Sequence, residues 1–495
     1  MEAIHMKTVD PVSQELLRSA ADRGLDLSWE RHQKLQPQDG FLRVGLSCPY
    51  GCLQGPCRID PFGRGPDHGL CGLDRNGMVA ALLLRLSLIG ALEALNAIPA
   101  PDTISEVSLP APLDEMATQA LKNLEGDSLS LGEIYRTISL LQRPQETPEQ
   151  MVLQALRLGI ITLGLLEQRQ TSLDAQGGLL CKAGYGLLAG DKITIGICGH
   201  PPRELTEALL KESSRESSVR MQLVSLGDWI RLNDGFLPCA CTSGEAELSL
   251  ISGKINLVLL GPGADPTISD LCQRLDVPLV ASREIQETAE ILRLARQAYS
   301  IPSETSFDPD PSLVHEARVI MTAQDLEPLL RKEKFHARFA LLGGADTPQH
   351  SFGWIPVELT SALRAEGYLV AGWGDAALWM IKNGFASEGQ DHAARILDEY
   401  QGPLLALKAL AVSGRLENFQ GICFTGLKAC RDLAVALGLA GLGLKVCVAV
   451  PLPLWGSERV RNFLTDKLAA GGGLLTHYDH PANAEEILEW FLKRR

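Results

Sequence analysis

Apolar residues recur at helical spacing through the first third of the chain, over Pro11 to Leu35, Asn76 to Leu95, Ser130 to Leu141 and Pro148 to Leu166, with Pro, Asp and Gly breaking the pattern between them. This predicts a helical region over residues 10–188. Past Gly190 the texture changes to short apolar runs, Lys192–Cys198, Met221–Leu226, Ile255–Gly261 and Val277–Ala281, alternating with amphipathic stretches. Runs that are apolar at nearly every position read as strands buried on both faces, as in a parallel sheet covered by helices. A second set follows a polar linker around Pro302–Pro311: Phe339–Gly344, Tyr368–Gly372, Ile422–Gly426, Lys445–Pro451 and Leu474–Tyr478. The chain closes with a helix predicted over Pro481 to Arg495, its Pro in the first turn, Glu485 and Glu486 at the positive end of the dipole and Lys493, Arg494 and Arg495 at the negative end. The expected fold class is multidomain α/β: a helical domain over 1–188 with a cysteine-bearing loop at 41–75, then two Rossmann-like doubly wound parallel-sheet domains over 189–335 and 336–495.

With 45% hydrophobic residues in 495, the chain has ample material for buried cores. A net charge of −14 disfavours nucleic acid or an anionic membrane as the main partner, since both would be repelled. The longest apolar stretch, Met78 to Ile98, carries Arg85 and Glu93, so it reads as a buried or amphipathic helix, not a membrane span. No targeting peptide is visible, and a cytoplasmic location is expected.

The chemistry concentrates in Cys48-Pro-Tyr-Gly-Cys52-Leu-Gln-Gly-Pro-Cys57-Arg-Ile-Asp-Pro-Phe-Gly, closed by Cys71-Gly72: four cysteines in 24 residues, separated by three, four and thirteen others. No single helix or strand presents that spacing on one side, so the segment folds around something. A cubane iron–sulfur cluster needs thiolates converging from several directions, with glycines that let backbone N–H groups approach the sulfides. A four-thiolate zinc site is the alternative, although structural zinc sites usually use two close Cys pairs, which this chain lacks. Twelve cysteines in the whole chain is too sparse for a disulfide scaffold.

From Val9 to Gly72 the sequence resembles the N-terminus of the anaerobic nickel–iron carbon monoxide dehydrogenases, a family that also contains the more distant hybrid cluster proteins. The match is closest in Cys52-Leu-Gln-Gly-Pro-Cys57-Arg-Ile-Asp-Pro-Phe-Gly and Gly69-Leu-Cys71-Gly72, and continues weakly through Gly199-His200-Pro201-Pro202 and Leu369-Val-Ala-Gly-Trp373-Gly. The resemblance implies a helical domain followed by two Rossmann-like domains, although this chain is shorter than the family by more than a hundred residues. It implies one 4Fe-4S relay cluster on Cys48, Cys52, Cys57 and Cys71, with one extra residue between the first two relative to the family pattern. The two cysteines per subunit that hold the family's dimer-axis cluster correspond to Asp39 and Ser47, which are poor ligands for iron that wants soft sulfur.

The family's catalytic nickel–iron cluster is held by one His and five Cys at strand ends. The His corresponds to His200. The cysteine turns correspond to Gly227-Asp228-Trp229, to Gly263 in Leu260-Gly-Pro-Gly263-Ala-Asp265, to Gly344-Ala345-Asp346-Thr347, to Gly372-Trp373-Gly374 and to Gly426-Leu427-Lys428, with Cys430 two residues late. Asp228, Gly263, Ala345, Trp373 and Lys428 thus stand where thiolates would, so no catalytic residue is expected and nickel is not expected. Lys428 at such a place would complement Asp228 or Asp346 if these were buried together. The leftover His200, Cys239, Cys241 and Cys430 form a candidate residual metal site, against which Cys239-Ala-Cys241 reads as ordinary loop thiols. Cys198, Cys423 and Cys447 lie in apolar strands, where cysteine behaves as a small hydrophobe. Three Gly-rich turns, Gly261-Pro-Gly263-Ala-Asp265, Gly343-Gly344-Ala-Asp346 and Gly372-Trp-Gly374-Asp375, border sheet crevices. None completes a nucleotide fingerprint, and each ends in a phosphate-repelling Asp.

The function this implies is one-electron relay in an anaerobic redox complex, with Arg58 beside the cluster favouring its reduced state. Expected partners are redox proteins, ferredoxin-like, flavoprotein or other complex subunits, with a homodimer compatible. Two other readings stand beside it: an active carbon monoxide dehydrogenase or hydroxylamine-reductase-like oxidoreductase with a non-standard cluster, and a structural or regulatory pseudo-enzyme.

Overall fold

The computed structural model describes residues 6–35, 44–49, 54–60, 62–98, 104, 107–111, 113–126, 128–142, 146–171, 178–215, 220–284, 287–300, 307–332, 338–387 and 393–493. Among these are seventeen α-helices and thirteen strands, β1 Leu179–Ala183, β2 Ile193–Cys198, β3 Met221–Gly227, β4 Cys239–Thr242, β5 Leu257–Leu260, β6 Leu279–Ala281, β7 His315–Ile320, β8 Phe339–Gly343, β9 Leu369–Gly372, β10 Arg395–Leu397, β11 Phe419–Phe424, β12 Lys445–Val448 and β13 Leu474–His477. The architecture is the multidomain, mostly parallel α/β one expected from the apolar runs. Two compact units emerge, one of residues 1–35, 177–321 and 345–399, the other of 36–176, 322–344 and 400–495, so each of the three expected stretches contributes to both.

The first unit holds nine strands in the order β9-β10-β7-β1-β4-β3-β2-β5-β6. All neighbours run parallel except β1 and β7, which pair antiparallel from Leu179 opposite Val319 to Ala183 opposite His315. Alternation along the central strands sorts their side chains to two faces. Ile193, Ile195 and Ile197 pack with Leu209 and Ile291 on one, while Cys198, Val224 and Val258 pack with Leu248, Leu271 and Leu16 on the other. Strands buried on both faces and flanked by helices are the doubly wound arrangement.

In the second unit β13, β12, β11 and β8 form a parallel sheet, and the helices Arg75–Asn96, Pro148–Thr171 and Cys430–Gly441 pack together. Close crossing depends on small residues. A Cβ on Gly159 would lie 2.5 Å from the Gly438 backbone nitrogen, so any side chain there would push the helices apart. Arg75–Asn96 and Pro148–Arg169 are long and apolar enough to cross a membrane, but 67% and 83% of their apolar windows are buried inside the protein, as core helices are.

Local differences from the sequence expectation have local causes. Pro11 to Leu35 is two helices, Pro11–Asp22 and Ser28–Leu35, because Gly24 takes a φ of 65° just past the first. The helical region ends at Thr171, and 179–183 is a strand. The last helix is Ala484–Leu492, begun by a capping box between Asn483 and Glu486 and not by Pro481.

Candidate functional site

The cysteine loop lies in the second unit. The Cys48 N–H donates to the Cys57 carbonyl at 2.9 Å and the Ile59 N–H to the Leu46 carbonyl at 2.9 Å, a short antiparallel clasp that includes a Ser47–Arg58 bridge. The Arg58 Nε reaches the Ser47 hydroxyl at 3.4 Å, so this hydroxyl is engaged by a guanidinium. Leu70 turns its N–H toward the Cys57 Sγ at 3.5 Å, and a Cβ on Gly69 would stand 3.7 Å from that sulfur. Asp74 then caps the helix that follows, accepting from the Gly77 N–H at 2.8 Å. Cys48 and Cys57 are half-buried and Cys71 is exposed. Cys52 and Asp39 lie outside the described residues. Among the described residues no three His, Cys, Asp or Glu side chains are gathered as a metal-holding group. The local chemistry nonetheless suits a cluster: a backbone amide aimed at a thiol sulfur, a glycine beside it and a second cysteine whose backbone is hydrogen-bonded to that of the first.

The strand-end positions in the first unit tell a different story. His200, just after β2, is exposed and its N–H donates to the Pro262 carbonyl at 2.9 Å. Asp228 accepts from the Gly199 N–H at 2.6 Å. Gly263 is exposed with a φ of 82°, and Asp265 caps the following helix by accepting from Thr267. Ala345 is half-buried, and Trp373 is buried at the start of the helix Gly374–Lys382.

Asp346 and Asp375, read one at a time as phosphate-repelling, belong to one polar network. Asp375 accepts from the Ser243 N–H at 3.0 Å, the Ser243 hydroxyl at 2.6 Å and the Asp346 N–H at 2.8 Å. Asp346 receives the Thr242 hydroxyl and, at 3.0 Å, the Trp379 indole N–H. Thr242 and Glu245 cap the turn after β4 reciprocally. Glu245 pairs with Lys382, which also meets Asp10 at 2.8 Å and lies 4.3 Å and 4.9 Å from the ring centres of Trp379 and Tyr185.

Electrostatics follow from this crowding. Burial and the adjacent Asp375 push Asp346 up to about 8, so it holds a proton at neutral pH. Burial also raises Glu245 against the pull of Lys382. Lys382 is held above its ordinary range by Glu245 and Asp10 although burial works the other way.

The cysteine pair is placed differently from expectation. Cys239 and Cys241 form strand β4 and no loop, and both are buried. Burial pushes the Cys239 thiol up to about 12 and the Cys241 thiol well above its usual value, the latter aided by Cys239. Cys198, Cys423 and Cys447 are buried in β2, β11 and β12 as expected of small hydrophobes. Cys430 opens the helix Cys430–Gly441. Lys428 is exposed, Asp228 accepts from the Gly199 N–H, and Asp346 accepts from Thr242 and Trp379.

No family model matches the chain. Over 85 residues, 17% of the chain, it is 44% identical to carbon monoxide dehydrogenase 1 of Methanosarcina mazei, a segment spanning only 13% of that relative's length. Carbon monoxide dehydrogenase IV from Carboxydothermus hydrogenoformans superposes with a TM-score of 0.78 at 18% identity, covering 98% of this chain and 99% of the other. The as-isolated, nickel-free carbon monoxide dehydrogenase of Thermococcus sp. AM4 gives 0.77 at 20% identity, covering 99% and 98%. The chain is therefore carbon monoxide dehydrogenase-like, in sequence over a short segment and in fold over nearly its whole length.

Proposed function

We propose that this protein relays single electrons through one 4Fe-4S cluster on Cys48, Cys52, Cys57 and Cys71, as a cytoplasmic subunit of an anaerobic redox complex, without a nickel–iron–sulfur site of its own. The observation that carries the reading is the Cys57 environment: a sulfur facing a backbone N–H at 3.5 Å, a glycine packed beside it and the Cys48 backbone hydrogen-bonded to its own. A cluster bound there would supply reversible one-electron chemistry. The chain's own residues set its surroundings. Arg58 places a fixed positive charge next to two of the cysteines, and the Leu70 amide stabilises charge on the Cys57 sulfur. The partners proposed are ferredoxin-like proteins, flavoproteins or other subunits of such a complex, and a homodimer is compatible. In reduced, anaerobically prepared protein, Cys57→Ala should abolish the cluster's electron paramagnetic resonance signal; an unchanged spectrum would remove Cys57 from the ligand set.

A second reading, an oxidoreductase with a non-standard active cluster, draws on β4. Its end carries Cys241-Thr242-Ser243-Gly244, a cysteine turn at a strand end, which the aligned Gly227-Asp228-Trp229 is not. Replacing Cys241 with Ser separates the two: it leaves metal content unchanged in a relay protein and lowers it if that thiol is a ligand.

A further inference from the structure

Outside both regions, the second unit holds a cavity of about 610 Å³ at the amino-terminal edge of its sheet, where β8, β11 and β12 begin. Its size lies in the range of small-molecule sites. Among the described residues, three cationic side chains, Arg338, Lys445 and Lys493, and one carboxylate, Glu417, line it, in a chain whose overall charge is −14. Phe419 and Leu444 contribute apolar wall.

The positive lining is built into the fold. Lys445, the first residue of β12, is only 8% exposed, a burial that is costly for a cation unless its surroundings are arranged for it. Its ammonium donates to the Trp490 carbonyl and sits 4.3 Å from the Trp490 ring centre. The indole N–H is in turn fixed by the Thr476 hydroxyl at 2.9 Å. Trp490 can lie against β11 only because residue 421 is glycine: its φ is 150°, and a Cβ there would stand 2.6 Å from the indole. Arg338, immediately before β8, adds a planar guanidinium suited to carboxylate or phosphate.

We infer that this cavity binds an organic anion with an apolar body, a carboxylate or phosphate monoester on an alkyl or aryl group. Recognition comes from the positive field of the lining for the head, with Lys445 held in place by the Trp490 and Lys493 carbonyls, and from the Phe419 and Leu444 wall for the body. The site is independent of the relay reading and is tested on the full-length holoprotein. Isothermal titration with octanoate and with octyl phosphate should give saturable one-to-one binding, the stronger of the two naming the head group, while octanol and acetate bind at least tenfold more weakly. Lys493→Gln, at an exposed position, and Arg338→Gln should each weaken the preferred anion at least fivefold with the thermal unfolding midpoint unchanged. Absence of saturable binding by either anion, octanol binding as tightly as octanoate, or unchanged affinity in Lys493→Gln would each overturn the inference.

Discussion

The cysteine loop and the acid-rich turn cluster use polar groups in opposite ways. Cys48 and Cys57 are half-buried and Cys71 is exposed, and the Leu70 N–H faces the Cys57 sulfur at 3.5 Å. Around Asp346, Asp375, Glu245 and Lys382 the donors and acceptors close on one another, and Asp375 alone accepts three hydrogen bonds. The first arrangement holds its thiols near the surface, where a group from outside can reach them. The second spends its valence internally, which is how a protein fills a polar interior without a ligand.

That contrast can be broken most forcefully at Lys382. Lys382→Met leaves Glu245 and Asp10 without their cation, and removing one partner of a buried pair costs about 3–5 kcal/mol, so urea unfolding of the variant should show a large loss of stability. A midpoint unchanged from wild type would mean that the network is not held by charge.

The next effect is a pH slope. The Asp346 pKa in the folded protein, about 8, lies above its unfolded value, so the native state binds the extra proton. Its contribution is therefore fully present in acid, is lost as pH rises from about 4 to 8, and is constant above that. Asp346→Asn should flatten this part of the stability profile, measured by denaturant titration at successive pH values; an unaltered profile would contradict the proton assignment.

Ser243→Ala removes one of three donors to Asp375, for an expected loss of about 1–2 kcal/mol in the same assay. His200→Ala, at an exposed position, should change stability by less than about 0.5 kcal/mol and leave iron content untouched. A fall in metal content would place His200 in a metal site and favour the enzyme reading.

The apolar runs made most of this fold legible. Every run read as a strand from residue 192 onward is one, because strands buried on both faces carry a continuous hydrophobic signal. The strands that were missed are short or lack a long apolar run, and β1, Leu-Leu-Cys-Lys-Ala, lies in a stretch that reads as helical. β10 has three residues, β4 is Cys-Ala-Cys-Thr, and β7, His-Glu-Ala-Arg-Val-Ile, keeps polar side chains at positions facing outward. The cysteine spacing exposed one candidate site from local sequence alone. The turn network was invisible for the opposite reason: Asp10, Thr242, Glu245, Asp346, Asp375 and Lys382 come from four distant segments, and each looks ordinary until the sheet brings them together.

The most direct test of the account is the metal content of protein purified without oxygen, with iron, nickel and sulfide quantified per chain. One cubane predicts about four irons, a matching amount of sulfide and no stoichiometric nickel. Eight or more irons, or nickel near one per chain, would contradict it.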